Sequence, residues 1–199
     1  MNNKDRIILE SITLFNQHGV VSTTTNHIAK HLNISPGNLY FHFKNKEEII
    51  ETLFIHMCDE TYEMWKTEIQ KKPVSPPIEF IEKSLEIFWK YRFFHREMYH
   101  LRRENKKLSV LWKKHISKTR RFMRLTYSSW IKNNYLLSPK NSSAALVLDD
   151  LILLTASSFF QFYESMEKPA TRKPLQMAMR YLLSFLSPYF TPTYHSKIE

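Results

Sequence analysis

The stretch TTNHIAKHLNISPGNLYFHFKNKE, residues 24–47, decides the fold. Thr24 or Thr25 can cap a short helix over 26–32 that buries Ile28, Ala29 and Leu32. Asn33 and Ile34 make a tight turn. Ser35 caps a second short helix with Pro36 as its first residue, where the missing proline N–H costs nothing. That helix carries Leu39, Tyr40 and Phe43. Asn45 caps the next one, with Glu47 and Glu48 in its positive first turn. A preceding helix over 4–18 is apolar at Ile7, Ile8, Leu14 and Phe15, with Ser11 and Ile12 between, and Gly19 closes it. Two short helices joined by a tight turn and braced by a third make a helix-turn-helix.

The second short helix begins with Ser35, Pro36, Gly37 and Asn38. A helix tip entering the major groove carries no bulk. Gly37 lets the backbone approach, and Asn38 offers an amide to a base edge. Tyr40 and His42 lie further along and can reach phosphates, as can Lys46 at the next helix start.

These residues resemble the TetR family of bacterial transcriptional regulators. The resemblance rests on Thr24-Thr25-Asn26-His27-Ile28-Ala29, Leu32, Ile34, Ser35, Leu39-Tyr40-Phe41-His42-Phe43 and Lys44-Asn45-Lys46-Glu47, within residues 4–52. It implies an all-α fold of about nine helices: an N-terminal three-helix helix-turn-helix domain, then a larger regulatory and dimerisation domain. It implies a homodimer built mostly from the last two helices, and a small-molecule pocket in the C-terminal domain. DNA contacts carried onto this chain are Thr25, Asn26, Ser35, Pro36, Gly37, Asn38, Tyr40, His42 and Lys46. Family members often carry a basic residue where this chain has Thr25 and Asn26. The expected division is 1–46 for DNA and 47–199 for ligand binding and dimerisation.

The rest of the chain agrees with a helical body. Only Gly19 and Gly37 are glycine, against roughly 7% in an average chain. Dinucleotide fingerprints and phosphate loops, which need spaced glycines, are excluded. Helical spacing predicts helices over 46–70, 77–90, 92–103, 105–135, 139–166 and 170–187, with an irregular tail from Pro188 and no sheet. Cys58 is the single cysteine, so an intramolecular disulfide and a cysteine zinc site are excluded. No signal peptide and no apolar run long enough to span a membrane is found, so a cytoplasmic, non-membrane protein is expected. His27 and His31 stand at i, i+4 but lack a third ligand, and no metal or cofactor is expected. No nucleophile–base motif is found, and the adjoining Asp149 and Asp150 point apart on a helix. No catalytic residue is assigned, and the chain is not expected to be an enzyme.

The net charge is +10. Residues 92–124 alone hold twelve basic and two acidic side chains. Three readings stand: a solvated helical face over inward Leu101, Leu108, Leu111, Trp112, Ile116 and Met123; an attractor for an anionic effector such as a fatty acid or its thioester, through Arg102, Arg103, Lys106, Lys107, Lys113 or Lys114; and auxiliary contact with DNA or membrane. Candidate pocket residues are the aromatics of the middle helices: Trp89, Phe93, Phe94, Tyr99, Trp112, Phe122, Tyr127 and Trp130. Such a pocket suits an apolar effector. Apolar stripes on the last two helices give a candidate dimer interface: Leu148, Ile152, Ala156, Phe159, Phe160, Leu175, Met179, Leu182 and Leu186. The expectation is a dimeric repressor on palindromic double-stranded DNA that leaves its operator when an apolar or anionic small effector binds.

Overall fold

The computed structural model describes residues 2–166 and 173–196. The helices are α1 (Asn3–His18), α2 (Thr25–His31), α3 (Pro36–His42), α4 (Lys46–Gln70) and α5 (Pro77–Lys90). Then come α6 (Arg92–Glu104), α7 (Lys106–Lys132), α8 (Ser142–Met166), α9 (Lys173–Leu186) and α10 (Pro192–His195), with a 3-10 turn over Ser187–Tyr189 before the last. The all-α class holds. Among the described residues the one extended pairing is an isolated bridge between Leu136 and Phe190.

Packing divides the chain into two units. The first comprises Met1–Glu60 and Lys90–Lys113, the second Thr61–Trp89 and Lys114–Glu199. In the first, α1 packs on α2, α3 and α6. Ile7, Phe15, Ile28, Leu39 and Phe43 are fully buried there. In the second, α8 packs on α9, and Trp65, Phe80, Trp130, Phe160 and Leu182 belong to one hydrophobic core.

Helix starts follow local chemistry. Thr24 Oγ1 accepts from His27 N at 3.2 Å, while His27 Nδ1 accepts from Thr24 N at 3.4 Å. This is a capping box with histidine in the usual place of glutamate. Ser35 Oγ accepts from Asn38 N at 3.1 Å, and Asn45 Oδ1 from Glu48 N at 2.9 Å.

Helix ends depart from expectation in three places. Helix α7 stops at Lys132 rather than 135 because Asn134 takes φ 58. Asn134 N then donates to Ile131 O and Tyr135 N to Trp130 O, a Schellman closure. Helix α8 starts at Ser142 rather than 139, after Leu136 and Leu137 are drawn into extended pairing with Tyr189 and Phe190. The expected start of α9 at 170 lies outside the described residues. The tail is not irregular. Thr191 caps α10 with Pro192 behind it, the same Thr/Ser-Pro signal that starts α3. Thr191 Oγ1 also donates to Asn134 O at 2.7 Å, pinning the tail to the end of α7.

One buried carboxylate in the second unit joins α4 to α5. Glu68, 3% exposed, accepts from Lys71 Nζ at 2.8 Å, Lys83 Nζ at 2.7 Å and Ser75 Oγ at 2.5 Å. Burial pushes its pKa up, but the bonds from Lys71, Lys83 and Ser75 outweigh that and carry it down to about 2. A carboxyl with a depressed folded pKa stabilises above the ordinary carboxylate range and loses that contribution as pH falls toward about 2. Glu68→Gln is therefore expected to cost about 1–3 kcal/mol at neutral pH. It should also shrink the stability lost between pH 5 and 2, both read by urea unfolding. Equal acid sensitivity in variant and parent would refute the assignment.

Candidate nucleic-acid interface

Helix α3 turns Leu39 and Phe43 inward, one helical turn apart. The opposite side of its N-terminal turn is therefore outward, and Ser35, Pro36, Gly37 and Asn38 are all exposed. Gly37 has no fold-imposed reason to be glycine. Its φ is not positive, and a Cβ there would meet only Ser35 Oγ, at 3.9 Å. Gly19 differs: it has φ 81, and a Cβ would lie 3.2 Å from Glu97 Oε1.

The Asn38 amide is oriented from behind. Asn3 Nδ2 donates to Asn38 Oδ1 at 3.1 Å, and Arg6 Nη1 donates to Asn3 Oδ1 at 3.2 Å. Arg6 Nη2 also donates to Leu32 O, at 3.2 Å, closing the end of α2. Asn38 is exposed, and its NH2 donors are not used in this bond. Thr25 Oγ1 and Tyr40 OH share a hydrogen bond of 2.9 Å, which brings the first residue of α2 to the middle of α3. Asn26 is exposed, and His42 is half-buried with its ring edge against Phe41. The Lys46 ammonium donates to Val20 O at 2.8 Å, so one of its three hydrogens serves the fold.

Residues 24–47 therefore bring the nine expected DNA contacts onto two short helices and the start of α4. Phe41, 85% exposed, went unread in the sequence. Its position between inward Leu39 and Phe43 was the available signal. His27 caps α2, and His31 Nε2 lies 3.1 Å from Glu10 Oε2. No group of three metal-type side chains gathers among the described residues.

The basic segment 92–124 spends much of its charge within the chain. Arg96 donates to Phe15 O and Asn16 O, Arg102 lies over Trp112, and Lys107 pairs with Glu51. Lys118 lies over Tyr62, Arg120 pairs with Asp150, and Arg124 with Asp149. Arg103, Lys106, Lys113 and Lys114 are exposed.

The eight candidate pocket aromatics do not converge. Phe93 and Phe94 are fully buried in the first unit, and Trp112 there packs on Phe54. Tyr99 is exposed. In the second unit, Trp89 packs on Phe160, and Phe122 stacks on Tyr62. Tyr127 and Trp130 line a cavity of about 80 Å³ with Trp65, Phe80, Thr119 and Leu182. Trp65, Phe80 and Thr119 were not singled out, because helical spacing marks core residues without telling which core holds a void.

Of the candidate dimer residues, Leu148, Ala156, Phe159, Phe160, Leu175, Leu182 and Leu186 are buried within the chain, and Ile152 and Met179 partly so. Leu148, Phe159, Phe160, Leu175, Leu182 and Leu186 belong to the same hydrophobic core as Trp65, Phe80 and Trp130. The exposed apolar face of α8 is another stripe, Val147, Leu151, Leu154 and Phe162, joined on α9 by Tyr181. No helix among the described residues is long and apolar enough to cross a membrane.

Comparison with known proteins agrees with this architecture. Residues 7–53 match the model described as bacterial regulatory proteins of the tetR family, and residues 54–198 match that of the TetR bacterial transcriptional repressor. The HTH-type transcriptional regulator QacR of Staphylococcus aureus is 31% identical over 124 residues, 58% of this chain and 66% of its own length. IcaR of Staphylococcus epidermidis, the negative transcriptional regulator of the biofilm operon icaADBC, is 43% identical over 60 residues, 28% of this chain and 32% of its own. These alignments thus span about a third to two thirds of the relatives. A TetR-family regulator from Marinobacter aquaeolei shares the fold with a TM-score of 0.86 at 27% identity, over 100% of this chain and 96% of its own. The ketosteroid regulator KstR2 of Mycobacterium tuberculosis has the same fold at a TM-score of 0.68 and 17% identity, over 96% of this chain and 95% of its own. The chain belongs to the TetR family of bacterial transcriptional regulators.

Proposed function

We propose that the protein is a dimeric repressor that binds a palindromic operator and releases it when a small effector enters the second unit. The observation that carries the DNA reading is the tip of α3. Four small or polar residues are exposed there, and Gly37 occupies a position where the fold itself tolerates a larger side chain. Asn38 reads a base edge, its amide held by Asn3. Thr25, Asn26, Ser35, Pro36, Tyr40 and His42 surround it on phosphates and groove edges. Lys46 adds charge at the α4 N-terminus, where free N–H groups already favour an anion. Two recognition helices in a dimer address half-sites about 34–36 Å apart or a multiple of it.

The second copy covers Val147, Leu151, Leu154 and Phe162 of α8 with Tyr181 of α9. Leu148, Ala156, Phe159, Phe160, Leu175, Leu182 and Leu186 stay buried within each copy, with Ile152 and Met179 partly so. The effector site is the cavity walled by α4, α5, α7, α8 and α9, and the effector acts by favouring one dimer geometry over another.

Three variants test the DNA face by gel shift on fragments upstream of the protein's own gene. Gly37→Leu should keep its melting temperature and lose operator binding. Asn38→Ala should lose about 1–3 kcal/mol of discrimination between operator and mismatched sites. Lys46→Ala should weaken binding to all sequences and reduce the salt slope by about 1. Parent-like binding by Gly37→Leu would mean that α3 does not enter the groove. For the interface, Leu154→Glu should sediment as a folded monomer. Leu148→Ala should remain dimeric but lose about 2–5 kcal/mol of stability, as a core truncation does. A dimeric Leu154→Glu would place the two-fold elsewhere.

A further inference from the structure

Phe41, at 85%, is the most exposed large apolar side chain among the described residues. Single apolar residues on a surface are ordinary, but this one stands on the second helix of a helix-turn-helix. At 3.6 residues per turn, position 41 lies about 160° around α3 from both Leu39 and Phe43, which are buried. Gly37 comes one turn earlier, about 40° away, so the two share the outward ridge of the helix. That ridge is open beside the ring. A Cβ at position 37 would meet only Ser35 Oγ, at 3.9 Å, so the Phe41 ring does not fill the space. Asn38, exposed as well, is the i, i+3 neighbour of Phe41. The ring meets that of His42 at 83°, with centroids 5.1 Å apart, which limits its rotation.

What such a ring can recognise in a duplex follows by elimination. The major groove shows a distinct set of donors and acceptors at each base pair, and one apolar group, the C5 methyl of thymine. A phenyl ring has no polar atom, so it tells bases apart only through that methyl. Against any other base edge it would cover a donor or an acceptor and give nothing in return. The minor groove has no such methyl, and a ring there would act as a wedge between base steps. A ridge with a bare position at Gly37 and the Asn38 amide alongside suits the major groove. Packing on a methyl also takes from water an aromatic face that the free chain leaves exposed.

We propose that Phe41 is a specificity-determining residue that selects a thymine in each operator half-site by packing on its C5 methyl in the major groove. It rests on the DNA reading of α3 given above and names a base that this helix chooses. Gly37 lets the backbone come close enough for the ring to reach the base edge. Three residues of helix span about 4.5 Å and one base pair about 3.4 Å. The selected thymine therefore lies about one or two base pairs from the base that Asn38 contacts. The amide and the ring read different kinds of feature, a polar edge and an apolar methyl, so neither substitutes for the other.

The test replaces each thymine of the operator upstream of the protein's own gene by deoxyuridine, which lacks only the methyl. Affinity of the full chain is then read by gel shift. One thymine in each half-site should matter, its replacement weakening the parent about 4-fold, the worth of one buried methyl group. Phe41→Ala should weaken binding to the unmodified operator by at least as much and lose nothing further at that thymine. Phe41→Leu, still apolar, should keep part of the methyl dependence. Both variants should melt at the parent temperature, since the ring is exposed. Parent binding indifferent to every deoxyuridine would overturn the proposal. So would a Phe41→Ala variant with parent-like operator affinity, with the parent's sensitivity at the same thymine, or with a lowered melting temperature. Weaker binding by Phe41→Ala with no methyl dependence in the parent would assign the ring a wedge role instead. Gly37→Leu separates this inference from the reading beneath it. Parent-like binding by Gly37→Leu refutes groove entry by α3, and the role of Phe41 with it. Loss of binding by Gly37→Leu, with no thymine methyl felt by the parent, refutes the role of Phe41 alone.

Discussion

The exit of α1 is the corner from which the first unit is hung. A helix ends with carbonyls that its own turns cannot satisfy, and here α6 satisfies them. Arg96 donates to Phe15 O at 2.8 Å and to Asn16 O at 3.3 Å. Val20 N–H donates to Glu97 Oε1 at 3.0 Å, and Val20 C=O accepts from Lys46 at 2.8 Å. One residue thus ties α1 to α6 through its nitrogen and to α4 through its oxygen. Buried Asn16 adds a second tie, donating to Lys90 O at 2.8 Å and accepting from Phe93 N at 3.1 Å. The rings of Phe15 and Phe93 pack at 5.3 Å under these bonds. Glycine is required at position 19 because the chain turns with positive φ directly beneath the Glu97 carboxylate. The helix-turn-helix is therefore fastened to residues seventy or more positions away in sequence, and residues 90–113 pack with residues 1–60.

A chain with two glycines still has to end the ten helices found among the described residues. It does so partly with asparagine, which tolerates the left-handed region better than other residues. Asn33 at φ 54 closes α2, with Ile34 N donating to Ala29 O at 3.0 Å. Asn134 at φ 58 closes α7 in the same way. The glycine shortage predicts long helices correctly, but it does not show where they stop, because asparagine at those sites reads equally well as an ordinary helix-surface residue. The caps at Thr24, Ser35 and Asn45 were legible because a helix start is written within four residues.

Sites made of several helices were legible only in part. Helix α8 is apolar on two faces, and periodicity finds both without saying which meets α9. Leu148 and Phe160 turn into the core of the chain, while Leu154, 61% exposed, turns out. The choice depends on where α9 lies, and no local pattern encodes that. The aromatics posed the same difficulty. Phe93 and Trp130 look alike in sequence, yet one closes the α1 corner and the other walls a cavity.

The charge of the most basic segment, 92–124, is divided between two uses. Arg96 closes α1, Lys107 answers Glu51, and Arg120 and Arg124 answer Asp150 and Asp149, while Arg103, Lys106, Lys113 and Lys114 stay exposed. The residues proposed to read DNA are almost all neutral. Charge on a nucleic-acid binder sets affinity for any phosphate backbone, whereas discrimination between sequences comes from donors and acceptors fixed in direction. Asn38 suits the base contact proposed for it, since Asn3 donates to its oxygen and Arg6 donates to Asn3. A long flexible lysine at that position could approach a phosphate but not hold one edge of one base. A neutral tip on α3 thus suits the sequence-reading role proposed for it, while the basic mid-chain supplies internal ion pairs and exposed cations together.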